Sequence, residues 1–194
     1  MINRRISMHF TLTDLITDIT QNGIESGADL VELDVSEVDD SGKAEFRFSV
    51  KDNGKGMSSE ELKRAQDPFF TDGIKHPNRK VGLGLPFLIQ TAETSGGGWE
   101  MDSEKGKGTR VSAWFDTANM DTPPLGDIPG MFRTVLLFQG PKEMVIRRFR
   151  QSALGCIEYE ARKTELIDAL GELETTQSLI LLDQYLRSLE ESEE

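Results

Sequence analysis

The sequence contains one cysteine, Cys156, in 194 residues. A single thiol excludes an internal disulfide framework and a cysteine-based metal centre. No window holds the run of about 18 apolar residues that a membrane helix needs. The opening stretch MINRRISMHF carries arginines but no apolar core of signal-peptide length. No internal repeat is present, which suggests one domain of ordinary size with some chain left over. These absences point to a cytoplasmic chain without a membrane partner.

Basic residues are also in the minority: 22 Lys and Arg stand against 34 Asp and Glu, a net charge of -12. The imbalance is local. Residues 151–194 hold 3 basic and 11 acidic residues, so most of the excess is C-terminal. A net-acidic chain with no basic patch in its sequence repels phosphate backbones, so no nucleic-acid partner is expected. Apolar residues at 37% and charged residues at 29% suit a globular protein with a real core.

Leu12, Leu15, Ile16 and Ile19 recur at helical spacing and predict an amphipathic helix over 11–26, capped by Thr11 or Thr13. Leu30–Val38 and Ala44–Lys51 alternate apolar and polar residues. They predict two strands joined by the turn Asp39-Asp40-Ser41-Gly42. Ser58 or Ser59 should cap a short helix to Gln66, and an irregular polar stretch follows over 67–80. Leu85–Ser95 reads as a second long helix stopped by Gly96-Gly97-Gly98, and Thr109–Phe115 as a further strand. Residues 121–130, rich in proline and glycine, read as a linker between residues 1–120 and a C-terminal extension over 131–194. In that extension, Thr134–Phe138 and Met144–Phe149 suggest a hairpin around Gly140-Pro141. From about Arg162 the chain looks helical, with an apolar stripe at Leu179, Leu182, Leu186 and Leu189. This order predicts an α+β fold, with helices on one face of a mostly antiparallel sheet.

Four short patches carry the chemistry. Asp18 and Asn22 lie four residues apart and so stack on one helix face, with Asp14 and Glu25 beside them. An acid and an amide placed so can activate a water and hold a metal; the same face also suits plain solvation. Asp52-Asn53-Gly54-Lys55-Gly56-Met57 follows a strand and makes a good turn. In a binding role, Asp52 accepts from an exocyclic amino group, Gly54 and Gly56 let backbone approach a flat ring, and Met57 packs on it. Gly82-Leu83-Gly84-Leu85 opens the second long helix, where backbone amides can receive a phosphate. Lys75, Arg79 and Lys80 lie just before it. The patch is neither a dinucleotide fingerprint, lacking the third glycine, nor a P-loop, lacking Gly-Lys-Ser/Thr. Gly106-Lys107-Gly108-Thr109 is a hairpin turn, or a means of placing the Thr109 hydroxyl near a base.

In this order and spacing, the patches resemble the GHKL superfamily of gyrase, heat-shock chaperone, histidine-kinase and MutL ATPases. DITQN is similar to its N box, DNGKGM, GLGL and GKGT to its three glycine boxes, and DPFFTDGIK, with Phe69 and Phe70, to the F box of histidine kinases. The resemblance covers roughly residues 10–116. It implies a two-layer Bergerat α/β sandwich that binds ATP with Mg2+. It also implies Asn22 as the magnesium ligand and Asp52 as acceptor for the adenine amino group. Gly82 and Gly84 would present amides to the phosphates, with Leu83 and Leu85 also in the cofactor site, Thr109 would support the adenine side, and Lys75 to Lys80 would sit in a lid over the phosphates.

Asp18 takes the position where the family usually has glutamate, one methylene longer, which alters its reach as a general base. About ten residues precede the N box, so no phosphoacceptor-histidine hairpin is expected. His9 reads as incidental and His76 as a solvated lid residue. The implied function is an Mg-ATP module that regulates an unknown partner protein by phosphoryl transfer or slow hydrolysis. The alternatives are a non-catalytic ATP-dependent sensor and, less favoured, a dimeric ATP clamp; a homodimer is compatible with each.

Overall fold

The computed structural model describes residues 10–40, 42–66, 84–153 and 155–191. Among these residues, six strands form one mixed sheet: β1 (Leu30–Asp40), β2 (Lys43–Asp52), β3 (Gly98–Glu104), β4 (Gly108–Asp116), β5 (Glu143–Ser152) and β6 (Gly155–Arg162). Their order across the sheet is β3-β4-β2-β1-β5-β6. Only β1 and β5 run parallel; the other neighbours are antiparallel. Among the described residues, six helices accompany them: α1 (Leu12–Glu25), α2 (Ser59–Ala65), α3 (Gly84–Thr94), α4 (Ile128–Leu136), α5 (Lys163–Leu170) and α6 (Thr176–Glu190). The expected α+β architecture, a largely antiparallel sheet with helices packed on it, is what the chain forms. No helix among the described residues is long and apolar enough to cross a membrane.

Alternation decides which side of the sheet is covered. Val31, Leu33 and Val35 of β1 and Phe46, Phe48 and Val50 of β2 point to one face and are buried. They meet Leu12, Leu15, Ile16 and Ile19 of α1 in a single apolar cluster. Full burial of a side chain of this size contributes about 1.5–3 kcal/mol. Intervening residues such as Asp34, Arg47 and Ser49 project from the opposite face. Helix α1 starts where predicted. The Thr11 hydroxyl accepts from Asp14 N–H at 3.2 Å, and the Asp14 carboxylate accepts from Thr11 N–H at 2.9 Å.

The C-terminal third departs from its sequence reading. Thr134 to Leu136 is the last turn of α4, not a strand, and Gly140-Pro141 only connects α4 to β5. The hairpin lies later, between β5 and β6. The proline–glycine segment is also tied down: Pro124 and Leu125 carbonyls accept from Leu12 and Thr13 N–H, both at 3.0 Å, which satisfies open donors of α1. Strand β5 continues the same sheet beside β1. Leu182 and Leu186 of α6 are fully buried in the same core, as the stripe predicted.

Ion pairs fix this third in place. Arg148, with 1% of its side chain exposed, donates to Glu37 at 2.5 Å and to Glu190 at 3.1 Å. Tyr159 donates to the same Glu190 carboxylate at 2.7 Å. Burial, together with that carboxylate, pushes the Tyr159 hydroxyl well above its ordinary range. Between the helices, Asp183 accepts from Arg133 and Arg187, each at 2.9 Å, and Arg187 reaches Asp127 at 3.1 Å.

Candidate functional site

The site forms where the ends of α1, β2 and β4 converge. Buried Leu15, Ile16 and Ile19 hold α1 against the sheet, so its polar edge, with exposed Asp18, Asn22 and Glu25, runs along the seam. Strand β2 delivers Asp52 to the same end. Because Asp52 shares the phase of Phe48 and Val50, its carboxylate turns inward and is only 6% exposed.

The carboxylate is partly satisfied. Oδ1 accepts from Gly54 N–H at 2.8 Å and lies 2.9 Å from the Ser26 hydroxyl at the end of α1. The Ser26 hydroxyl also lies 2.6 Å from the Gly23 carbonyl, so its one proton serves two acceptors. Oδ2 faces Gly23, where even a methyl carbon would come within 3.5 Å of it. This oxygen has no hydrogen-bond donor among the described residues. An acceptor left open toward the cavity can take a donor from outside the chain.

The turn after β2 is clamped on both sides. Asn53 Oδ1 accepts from Asp29 and Leu30 N–H, each at 2.9 Å. Lys55 N–H donates to the Ser26 carbonyl at 3.2 Å, and Gly106 N–H to the Lys55 carbonyl at 2.7 Å. Gly56 has φ +57°, and a side chain there would strike the Glu104 carbonyl at 2.0 Å. Gly54 packs on Ser26 and does not line the cavity. Its lack of a side chain therefore lets the turn close on α1, a different use from the approach to a ring expected of it.

On the next strand, Thr109 pairs in register with Asp52. Its hydroxyl lies 2.9 Å from that of Ser103, which accepts from Met57 N–H at 2.8 Å and donates to the Gly108 carbonyl at 3.0 Å. With the Ser103 proton directed to Gly108, Thr109 donates to Ser103 and presents a lone pair to the space beside Asp52.

These groups enclose a cavity of about 210 Å³. Ile19, Val50, Met101 and Val111 give it apolar walls, and Asn22, Asp52 and Thr109 give it polar points. Gly56, Met57 and Leu85, all expected at the site, also line it. A half-open pocket with apolar walls and an open acceptor suits a flat heterocycle that carries an amino group. Asp18 does not reach the cavity wall. It and Asn22 sit over Gly84, the first residue of α3, where an added methyl carbon would lie 3.4 Å from Asp18 Cβ and 3.6 Å from Asn22 Nδ2. The polar edge of α1 therefore meets the start of α3 beside the cavity mouth. Asn22 and Asp18 offer oxygen ligands of the kind magnesium takes, alongside phosphate oxygens. Lys75, Lys80, Gly82 and Leu83, with Phe69, Phe70, His9 and His76, lie outside the described residues.

Sequence reasoning missed Ser26, Ser103 and Met101. Ser26 follows Asn22 by four residues and extends the Asp14, Asp18, Asn22 ladder, a spacing that could have revealed it.

The sequence model of the family described as histidine kinase-, DNA gyrase B- and HSP90-like ATPase matches residues 9–119. Sporulation kinase C of Bacillus subtilis is 33% identical over 98 residues, covering 50% of this chain and 22% of that protein. The sensor histidine kinase ZraS of Escherichia coli O157:H7 is 27% identical over 124 residues, covering 58% of this chain and 26% of its own length. The chain thus spans about a quarter of the length of these relatives. A solved histidine kinase domain from the Erythrobacter litoralis EL346 blue-light activated histidine kinase aligns with 50% of this chain and 36% of its own, at 21% identity and a TM-score of 0.31.

Proposed function

We propose, for a chain that belongs to the histidine kinase-, DNA gyrase B- and HSP90-like ATPase family, that it binds ATP with Mg2+ and passes the terminal phosphoryl group to a partner protein or, slowly, to water. The observation that carries the reading is the Asp52 carboxylate: buried, held by Gly54 and Ser26 through one oxygen, and open to the cavity through the other. An adenine amino group supplies the missing donor, with the Thr109 hydroxyl beside it. Guanine would set a carbonyl oxygen against the same carboxylate, so the site selects adenine by repulsion as well as attraction.

Asn22 would hold the metal through its amide oxygen. The metal would neutralise charge on the phosphates and keep them at the start of α3, where Gly84 leaves room beside Asp18 and Asn22. Asp18 takes the proton of the attacking hydroxyl, of a protein side chain or of water, or orients the hydrated metal. The oxygen–phosphorus bond forms as the bond to ADP breaks, and ADP leaves. Being one methylene shorter than glutamate, Asp18 favours slow turnover, since a displacement near 1 Å can cost on the order of a hundredfold.

Incubation of the pure protein with γ-radiolabelled ATP and magnesium, with and without cell extract, tests this. Label on another protein supports transfer, and released phosphate alone supports hydrolysis. Tight binding with neither leaves an ATP sensor. Asp18→Asn should lower turnover by about 10²–10⁴-fold, the usual contribution of a general base, while ATP still binds. Undiminished turnover would remove Asp18 from the reaction.

A further inference from the structure

The open face of the sheet carries a second hollow, backed by the same strands but turned away from the nucleotide cavity. It is an open depression of about 400 Å³. Its floor is low because serines stand at the centre: Ser36 on β1 and Ser49 on β2, with Ser112 on β4 in register with Ser49. Longer side chains stand around them. Arg47 lies with its guanidinium 5.0 Å from the centre of the Trp114 ring. Arg110 leans across Ser49, donating Nε–H to its hydroxyl at 3.0 Å, and Ser112 contacts the same hydroxyl at 3.2 Å.

The polar groups here do not balance. Ser49 and Ser112 offer two hydroxyl oxygens to each other and to Arg110, so one hydroxyl proton of the pair has no acceptor among the described residues. The terminal amino groups of Arg110 have none either. The nearest carboxylate to Arg47 is Glu45, 3.6 Å from Nε, which leaves its terminal amino groups without an acceptor as well. The other two arginines of the hollow are taken: Arg147 by Glu32, Asp34 and Glu160 at 3.1, 3.1 and 2.7 Å, and Arg148 by Glu37 and Glu190. The Arg47–Ser49–Arg110 side is thus a set of donors facing one space. Two guanidiniums and a hydroxyl are the natural complement of an oxyanion, which Arg binds through paired N–H groups.

We propose that this hollow is a binding site for an oxyanion, a phosphate or carboxylate group, separate from the nucleotide cavity. Because Asp34, Glu158 and Glu160 also border it, the local field is near neutral. Affinity comes from directed hydrogen bonds, and a free ion binds in the millimolar range. Ser49 and Val50 are consecutive in β2 and face opposite sides of the sheet, so occupancy of one site leaves the other open.

Titration of the 15N-labelled full chain with inorganic phosphate, at ionic strength held constant with chloride, tests this by NMR. The Arg110 Nε–H and Trp114 indole N–H signals should shift saturably. Acetate in place of phosphate shows which oxyanion is preferred, and saturation with either supports the site. Arg110→Gln should weaken the Trp114 response by about tenfold or more. Arg110→Lys, which keeps the charge but loses the fork, should weaken it several-fold. Lys51→Gln, on the same face but outside the hollow, should leave it unchanged. The proposal is overturned if the shifts are linear and equal in chloride, if they appear only around Asp52 and Thr109, or if Arg110→Gln responds like the native protein.

Discussion

Two ends of one sheet treat buried charge in opposite ways. At the α1–β2–β4 end, Asp52 is 6% exposed and leaves an oxygen open toward the cavity. At the β1–β5–β6 end, Arg148 is 2% exposed and is closed on both sides by Glu37 and Glu190, with Tyr159 completing the cluster. An incomplete hydrogen-bond set awaits a ligand; a complete one fixes an element in place. Changes at the first end should therefore alter binding with little loss of stability, and changes at the second should do the reverse.

The largest effect on this contrast comes from Glu190→Ala. It leaves Arg148 buried with half of its pairing and Tyr159 without its acceptor. Breaking a buried pair costs about 3–5 kcal/mol. Chemical denaturation should show a loss of that size, while ATP affinity, measured where the variant is folded, stays within about twofold. A loss below about 1 kcal/mol would mean that α6 is not held there.

Ser26→Ala is the smaller counterpart at the nucleotide end. It removes one donor that orients Asp52, worth about 0.5–1.5 kcal/mol, so ATP should bind a few-fold to about tenfold more weakly. Unfolding of the free protein should change little. An unaltered affinity would show that Gly54 N–H alone positions the carboxylate.

The smallest effect is in the pH dependence of stability. Burial tends to raise the Asp127 carboxyl, but Arg187 and the Gly130 N–H outweigh it and hold it below the usual range. A carboxyl depressed in the folded state stabilises above its unfolded pKa, about 4, and loses that contribution as pH falls through the lower folded value. Asp127→Asn should make the acid-side decline in stability shallower, by less than about 1 kcal/mol because the pair is partly solvated. An identical pH profile would show that the pair contributes nothing.

The two ends also differed in how far the sequence revealed them. Around the nucleotide cavity the signals are local: the Thr11 cap, the period of Leu12 to Ile19, and the alternation of Phe46, Phe48 and Val50. Each element formed within a residue or two of its expected place. Asn22, Asp52, Gly56, Met57, Leu85 and Thr109 came together because strand register and helix phase place them. Ser26 and Ser103 escaped notice because their role is to hold other polar groups. Strand β3 went unread although Trp99 and Met101 alternate with Glu100 and Asp102, since it begins within a run of three glycines. Helix α4 was hidden by Pro129 and Gly130, which read as breakers. A proline in the first turn costs a helix nothing, because that N–H has no partner inside the helix, and Asp127 caps it. The parallel pairing of β5 with β1 joins residues more than a hundred positions apart, and no local pattern encodes it.

The central claim is tested most directly by calorimetric titration of ATP and GTP, each with magnesium, into the native protein and Asp52→Asn. The substitution keeps Oδ1 for Gly54 and Ser26 but can replace the open acceptor with a donor. The account predicts saturable ATP binding by the native protein, far weaker GTP binding, and a loss of ATP affinity of about 1.5–3 kcal/mol in the variant. No heat with ATP in the native protein, or equal ATP affinity in the two proteins, would contradict it.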